Sequence, residues 1–428
     1  MCKTPVLKKF FAAAAVAVAA LCARADDSAY ISGYTWTYTK SGNAATLTSV
    51  TPKPTGVLAI PAQIETGVDV TILGQDLFSG ASELTQVKIP DTVTTIGQSA
   101  FYGCSTLVKV EIPASVTSIE VNAFADCAAL AELTLPDSVI GIGTAAFSGC
   151  TSLTSVKLPG YVEILGDSVF AGCTALEEAH LPKGLEGSLG NYMFQNCKNL
   201  TGVYFPGPDS GSSTAQIRRS SCFKDCISLE VFLAGPLTRL SNNYGATSVD
   251  MFSGVNGCRI FVPTGSNWDT ESDTEKGLAA YEADNTIFYY GAGRDLDMSF
   301  DNDNKTVTAT PATAHALTNV LAAASTVKNV FGMDMRINVT NAIEIAAGSV
   351  TAAELAGVTF DSLTFAVKTQ AQLDTVLAAV PAETPLAIDP EGATENLMVT
   401  TGNRKIYVML PKNGTYKVRQ GGLMIIVK

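Results

Sequence analysis

The chain has 428 residues, 46% of them apolar and 16% charged, which is enough for two or three units with buried cores and argues against disorder over most of the length. Forty acidic residues against 28 basic ones give a net charge of −12. Such a molecule repels phosphate backbones and anionic membrane faces, so nucleic acid is excluded as a partner class.

Residues 1–25 carry Lys3, Lys8 and Lys9, an apolar run from Phe10 to Leu21, and then Ala23-Arg24-Ala25. A positive start, a short apolar core and a small-residue cleavage site predict a Sec-type signal peptide, and hence a secreted or cell-surface protein. The run is too short to span a bilayer, and no later stretch offers the roughly 18 continuous apolar residues of a membrane helix. No transmembrane segment is expected in the mature chain. Cleavage would remove four cations, leaving 24 − 40 = −16.

Residues 26–57 hold TWTYT and ATLTSV on either side of Ser41-Gly42-Asn43. This reads as two strands around a turn, an N-terminal β cap for the repeats beyond it.

From residue 58 to 263 the sequence repeats. Phenylalanine recurs at Phe78, Phe101, Phe124, Phe147, Phe170, Phe194, Phe223 and Phe252, in steps of 23, 23, 23, 23, 24, 29 and 29. Cysteine follows three places later at Cys104, Cys127, Cys150, Cys173, Cys197 and Cys226, and leucine three places after that. The unit is I-P-x-x-V-x-x-I-G-x-x-A-F-x-x-C-x-x-L-x-x-V-x. The L-x-x-V-x-I portion alternates as a short strand does, and proline ends it because it cannot donate to a ladder. A-F-x-x-C has the spacing of one helical turn. The glycine after V-x-x-I suggests a tight bend with φ > 0. One unit cannot bury its own apolar face, whereas stacked units bury a continuous core. Residues 23 apart are therefore expected in equivalent seats on successive coils of a solenoid, with Phe101, Phe124, Phe147 and Phe170 and Cys104, Cys127, Cys150 and Cys173 as its core ladder. Cys222 and Cys258 stand outside the cysteine column and are the candidates for a disulfide.

The unit resembles the repeat of BspA-like leucine-rich-repeat surface proteins, of the 23-residue type. That resemblance implies a leucine-rich-repeat solenoid of short parallel strands and short helical turns on a secreted or surface-attached microbial protein. It also implies a role in adhesion or binding, and it supplies no catalytic residue. The last two passages lengthen to 29 residues, which leaves the register after Pro206 open.

Ser272-Asp273-Thr274-Glu275 forms a capping box before GLAAYEAD, and the strand TIFYYG comes next. Residues 264–290 thus read as a cap on the far end of the solenoid. Residues 291–428 lack the period and read as a separate small α+β domain of unknown role. Its expected helices are 313–324 and 369–380, its expected strands 362–367, 405–410, 415–419 and 423–428, with a hairpin turn at Asn413-Gly414.

Chemistry-bearing motifs are few. Gly141-Ile142-Gly143-Thr144-Ala145-Ala146 imitates a dinucleotide loop, but its residues fall in repeat slots and no long helix comes after it. Asp295, Asp297, Asp301 and Asp303 fit no calcium-loop pattern and read as an acidic linker. The histidines are His180 and His315. Evenly spaced cysteines match no paired zinc signature. No catalytic residue, metal site or cofactor is expected, and the chain is read as a non-enzyme.

One column suggests a ligand face. The middle residue of each strand should point outward: Lys88, Glu111, Thr134, Lys157, His180, Tyr204, Leu233 and Phe261. Exposed aromatics on a rigid sheet anchor protein partners, so a ligand patch is expected at His180, Tyr204 and Phe261. The bland alternative is that later loops or the C-terminal domain cover them. The sequence thus predicts a secreted or surface binding protein recognising an extracellular protein or glycan, with a structural spacer on the cell envelope as the alternative.

Overall fold

The computed structural model describes residues 26–181, 188–206, 215–218, 221–236, 238–241, 250–264, 278, 284–291, 293–338, 363–379, 386–389, 394, 397 and 406–408. The expected signal peptide, the capping box with most of the helix after it, the turn at Asn413-Gly414 and the strands expected at 415–419 and 423–428 lie outside the described residues.

Three antiparallel strands, Asp27–Ile31, Tyr34–Ser41 and Ala44–Thr51, open the chain. The third pairs in parallel with Val68–Leu73, so the meander extends one sheet of the solenoid beyond its first coil. Trp36, Tyr38 and Leu47 close the end of the core.

Each coil then contributes two strands. The longer ones form a front sheet in two pieces. Gly56–Ala59, Leu84–Lys88, Lys109–Glu111 and Glu132–Thr134 make the first, and Ser155–Lys157, Glu178–His180, Gly202–Phe205, Val231–Ala234, Arg259–Pro263 and Thr286–Tyr290 make the second. All neighbours in both pieces run parallel. On the back, Thr95–Ile96, Ser118–Ile119, Gly141–Ile142 and Ile164–Leu165 pair in parallel, 23 residues apart. The chain is a leucine-rich-repeat solenoid between these two sheets. The register continues past Pro206, with Tyr204 opposite Leu233 and Leu233 opposite Phe261, so the extra residues of the long repeats do not shift the strands.

The phenylalanines from Phe78 to Phe223 stack ring on ring, with centroids 4.9 Å apart at Phe101–Phe124 and 5.8 Å at Phe194–Phe223. Their amides link the coils: the N–H of Phe101 donates to Ala123 O and that of Phe124 to Ala146 O, both at 2.8 Å. The column cysteines are buried, and each thiol donates to the carbonyl of the phenylalanine one coil back, as Cys104 does to Phe78 and Cys150 to Phe124, both at 3.3 Å. Burial away from water raises the Cys173 and Cys226 thiols to about 12.

Cys222 and Cys258 are free buried thiols as well, which corrects the disulfide expectation. Their seats explain it. Cys222 directly precedes Phe223, where the other coils place Ala100, Ala123 and Ala146, and Cys258 takes the leucine seat six residues after Phe252.

The glycine reading also needs correction. Left-handed backbone occurs two residues before the ladder phenylalanine, as at Ser99 (φ 53°) and Asn122 (φ 55°), and two after it, as at Gly103 (φ 67°) and Asp126 (φ 59°). The glycine after V-x-x-I is absent from those seats. A Cβ on Gly143 would lie 2.5 Å from Val121 N, and one on Gly166 2.3 Å from Thr144 N. That glycine exists because the coils press backbone to backbone, which only a residue without a side chain allows.

Beyond the solenoid, Leu296–Asp301 and Thr306–Pro311 form an antiparallel hairpin, and Asp334–Asn338, Leu363–Ala366, Leu386–Asp389 and Ile406–Val408 add to it in parallel, in chain order. Helix α1 (Ala314–Phe331) crosses between Thr306–Pro311 and Asp334–Asn338, and helix α2 (Gln370–Ala379) between Leu363–Ala366 and Leu386–Asp389. Thr313 caps α1 by accepting from Ala316 N, and Gly332 ends it at φ 63°. The stretch read as an acidic linker is therefore part of the hairpin: Leu296 and Met298 point into the core while Asp297 and Ser299 alternate outward.

Candidate ligand-binding face

Two outward columns run along the front sheet. One is Gln86, Lys109, Glu132, Ser155, Glu178, Gly202, Val231 and Arg259; the other is Lys88, Glu111, Thr134, Lys157, His180, Tyr204, Leu233 and Phe261. Inward neighbours such as Val87, Val110, Leu133, Val156 and Ala179 are buried, so period-2 alternation fixes which side each residue serves.

The two halves of this face differ. From Gln86 to His180 the side chains are polar and open to solvent. Lys109 pairs with Glu111 at 3.3 Å and His180 with Glu178 at 3.5 Å. Beyond His180 the columns turn apolar, and the C-terminal unit sits on them. Val231, Leu233 and Phe261 belong to the same buried cluster as Leu317, Val320, Leu321 and Val327 of α1. The glycine at 202 makes room for this packing, since a Cβ there would lie 3.0 Å from Phe331 and 3.2 Å from Val330. Tyr204 lies against Phe300 and Phe331, with centroids 5.9 and 5.8 Å away, and its hydroxyl donates to Asn302 Oδ1 at 2.6 Å. Thr326 of α1 donates to Glu230 Oε2 at 2.9 Å.

The three residues of the expected patch therefore part company. His180 remains at the surface, its side chain 39% exposed. Phe261 is 1% exposed and stacks on Phe288 at 5.4 Å, and Tyr204 is held in the interface. Phe261 cannot meet a ligand from that position. The sequence carried a signal for this, because charged residues give way to Gly202, Tyr204, Val231 and Leu233 where the helix lands. α1 itself is apolar on most of its circumference, the pattern of a helix covered on both sides.

Among the described residues, no group of three His, Cys, Asp or Glu side chains could hold a metal ion, and no helix is long and apolar enough to cross a membrane. The imitation dinucleotide loop has Gly143 pressed on the Glu120–Val121 backbone, which leaves no space for a pyrophosphate.

A stack of short parallel strands on a phenylalanine ladder, with one polar sheet face left bare, defines a leucine-rich-repeat protein. The repeats are of the BspA type: residues 71–201 match the BspA type leucine rich repeat region in six copies. No curated protein matches the chain. Among solved structures it is similar to a leucine rich repeat protein of T. pallidum at 29% identity, covering 45% of this chain and 87% of that one, with a TM-score of 0.40. A leucine-rich repeat protein from Bacteroides ovatus ATCC 8483 is 19% identical over 89% of this chain and 99% of that one, TM-score 0.43. A leucine rich cell surface protein from Faecalibacterium prausnitzii A2-165 is 20% identical over 63% and 96%, TM-score 0.29.

Proposed function

We propose that the protein is exported by residues 1–25 and acts outside the cell as a non-enzymatic binding protein, recognising an extracellular protein or glycan through the uncovered half of its front sheet, from Gln86 to His180. The observation that carries this reading is the contrast along one face. The last coils are sealed by the C-terminal unit, while the five strands from Leu84–Lys88 to Glu178–His180 keep a set of polar side chains open to solvent. Tyr204 and Phe261 serve to seat the C-terminal unit, and His180 marks the boundary of the bare face.

The test uses the full exported chain, because the second core draws on both parts and a split at 290 would open it. Immobilised protein is exposed to cell-envelope and extracellular-matrix preparations, alongside a variant carrying Glu132→Arg and Lys157→Glu. Captured material that disappears with the variant supports the reading. Capture that survives it favours a spacer attached to the envelope through residues 291–428, and capture by neither protein overturns both.

A further inference from the structure

We infer that the bare face takes an extended acidic polysaccharide, one bearing uronate carboxylates, laid across its strands; the inference rests on the binding role proposed above. Residues 54–181 contain fourteen acidic residues but only three basic ones, Lys88, Lys109 and Lys157. All three lysines stand on the front face, as does His180, against three of the acids, Glu111, Glu132 and Glu178. The face thus balances at 3 − 3 = 0, and the remainder of the segment at 0 − 11 = −11. Apart from Lys53, whose ammonium donates to Ser79 O away from this face, positive charge here is confined to one side of the rod.

That segregation decides where an anion can approach. At physiological salt the screening length is about 8 Å, so a ligand on the front face is governed by the groups beneath it rather than by the acidic flanks. Lys109 is engaged with Glu111, but Lys88 and Lys157 have no carboxylate partner among the described residues. Three strand spacings separate them, about 14 Å, so two ammonium groups stand ready for carboxylates spaced along a polymer. Between them Gln86, Thr134 and Ser155 and the glutamate oxygens offer donors and acceptors suited to hydroxyl groups.

The same ten side chains argue against an acidic protein segment. Protein interfaces are anchored by buried aromatic and arginine side chains, and these ten positions hold neither; exposed Val108 lies outside the two columns, and exposed Val57, opposite Gln86 at the edge of the face, is a small aliphatic. α1, packed over the strands from Gly202–Phe205 onward, closes one end of the run and leaves the five strands from Leu84–Lys88 to Glu178–His180, about 19 Å.

The full chain is titrated at 0.15 M salt with polygalacturonate, with neutral dextran and with poly-glutamate, each also against a Lys88→Gln/Lys157→Gln variant. The expected result is binding of polygalacturonate only, weakened about ten-fold in the variant with an unchanged thermal midpoint, and weakened further by added salt. Absence of polygalacturonate binding, or undiminished binding by the variant, overturns the inference. Equal binding of poly-glutamate also overturns it, since the partner is then an acidic protein segment. If polygalacturonate fails while the Glu132→Arg/Lys157→Glu variant still loses envelope or matrix capture, the glycan assignment falls and the binding face stands.

Discussion

The thiol of Cys127 donates to the main-chain carbonyl of Phe101 at 3.2 Å, and that same carbonyl accepts the N–H of Cys104 at 3.2 Å. The cysteine column therefore works as a set of small apolar side chains that also close a polar accounting between coils. None of the eight described thiols is exposed, and the thiolate is the reactive form. In native protein at pH 8, a thiol reagent should modify none of them within the time in which denaturant exposes all eight, as counted by mass spectrometry. Rapid native labelling of any column cysteine would contradict the ladder.

Phe124 sits between Phe101 and Phe147, with centroids 4.9 and 5.4 Å away, and is fully buried. Phe124→Ala should lower stability by about 3–5 kcal/mol, read from denaturant melts. In a stack held by nearest-neighbour contacts, hydrogen exchange should quicken most in the coils adjoining residue 124.

Two glycines of nearby coils separate close approach from backbone conformation. Gly143→Ala forces a Cβ to 2.5 Å from Val121 N and should destabilise by about 1–3 kcal/mol. Gly103 has φ 67° with open space around it. Gly103→Ala should cost about 1 kcal/mol, whereas Gly103→Asn should be nearly neutral, because the equivalent seat holds Asp126 in the next coil. Equal losses for Gly143→Ala and Gly103→Asn would refute the distinction.

Gly202→Lys restores the kind of long polar side chain that Lys109 and Glu132 provide in earlier coils. Here it would drive into Phe331 and Val330 and lift α1 from the sheet. The expected outcome is faster proteolysis within residues 291–428 and a separate low-temperature transition by calorimetry, with the solenoid transition retained.

In the N-terminal cap, Tyr38 donates to Glu65, and Lys40 pairs with the same carboxylate at 3.0 Å. The Tyr38 hydrogen bond, followed by that of Lys40, holds the Glu65 carboxyl below the ordinary glutamate range. Its contribution is present above the unfolded pKa and is lost as pH falls through the lower folded value, so the cap should loosen below about pH 4. Burial, then the Glu65 hydrogen bond, raises Tyr38 to about 12; its contribution is complete below pH 10 and lost between about 10 and 12. Glu65→Gln should remove the acid-side dependence in melts followed by Trp36 fluorescence.

The solenoid was legible because its evidence is periodic: a 23-residue step reports one physical event, the stacking of like on like, many times over. The glycine was misread because one residue type answers two demands, left-handed backbone and absence of bulk, and a sequence does not say which applies. Cys222 and Cys258 looked anomalous only against the cysteine column; against the alanine and leucine columns they are in register. The fate of Tyr204 and Phe261 was open for another reason. Whether an outward aromatic meets solvent or a neighbour depends on α1, more than fifty residues further along; the apolar drift at Gly202, Val231 and Leu233 signals a cover, but local pattern does not say which segment supplies it. The strands at Leu296–Asp301 and Thr306–Pro311 were missed because aspartates on one side of an alternating strand resemble a linker when read as composition.

The coils lie between the meander at one end and the seated helix at the other, and the back strands and phenylalanine amides join coil to coil in the same way along that length. Whole turns can therefore be gained or lost there in 23-residue increments while both ends keep their partners. Reach, in such a molecule, becomes a quantity that gene duplication can lengthen or shorten without redesigning anything else.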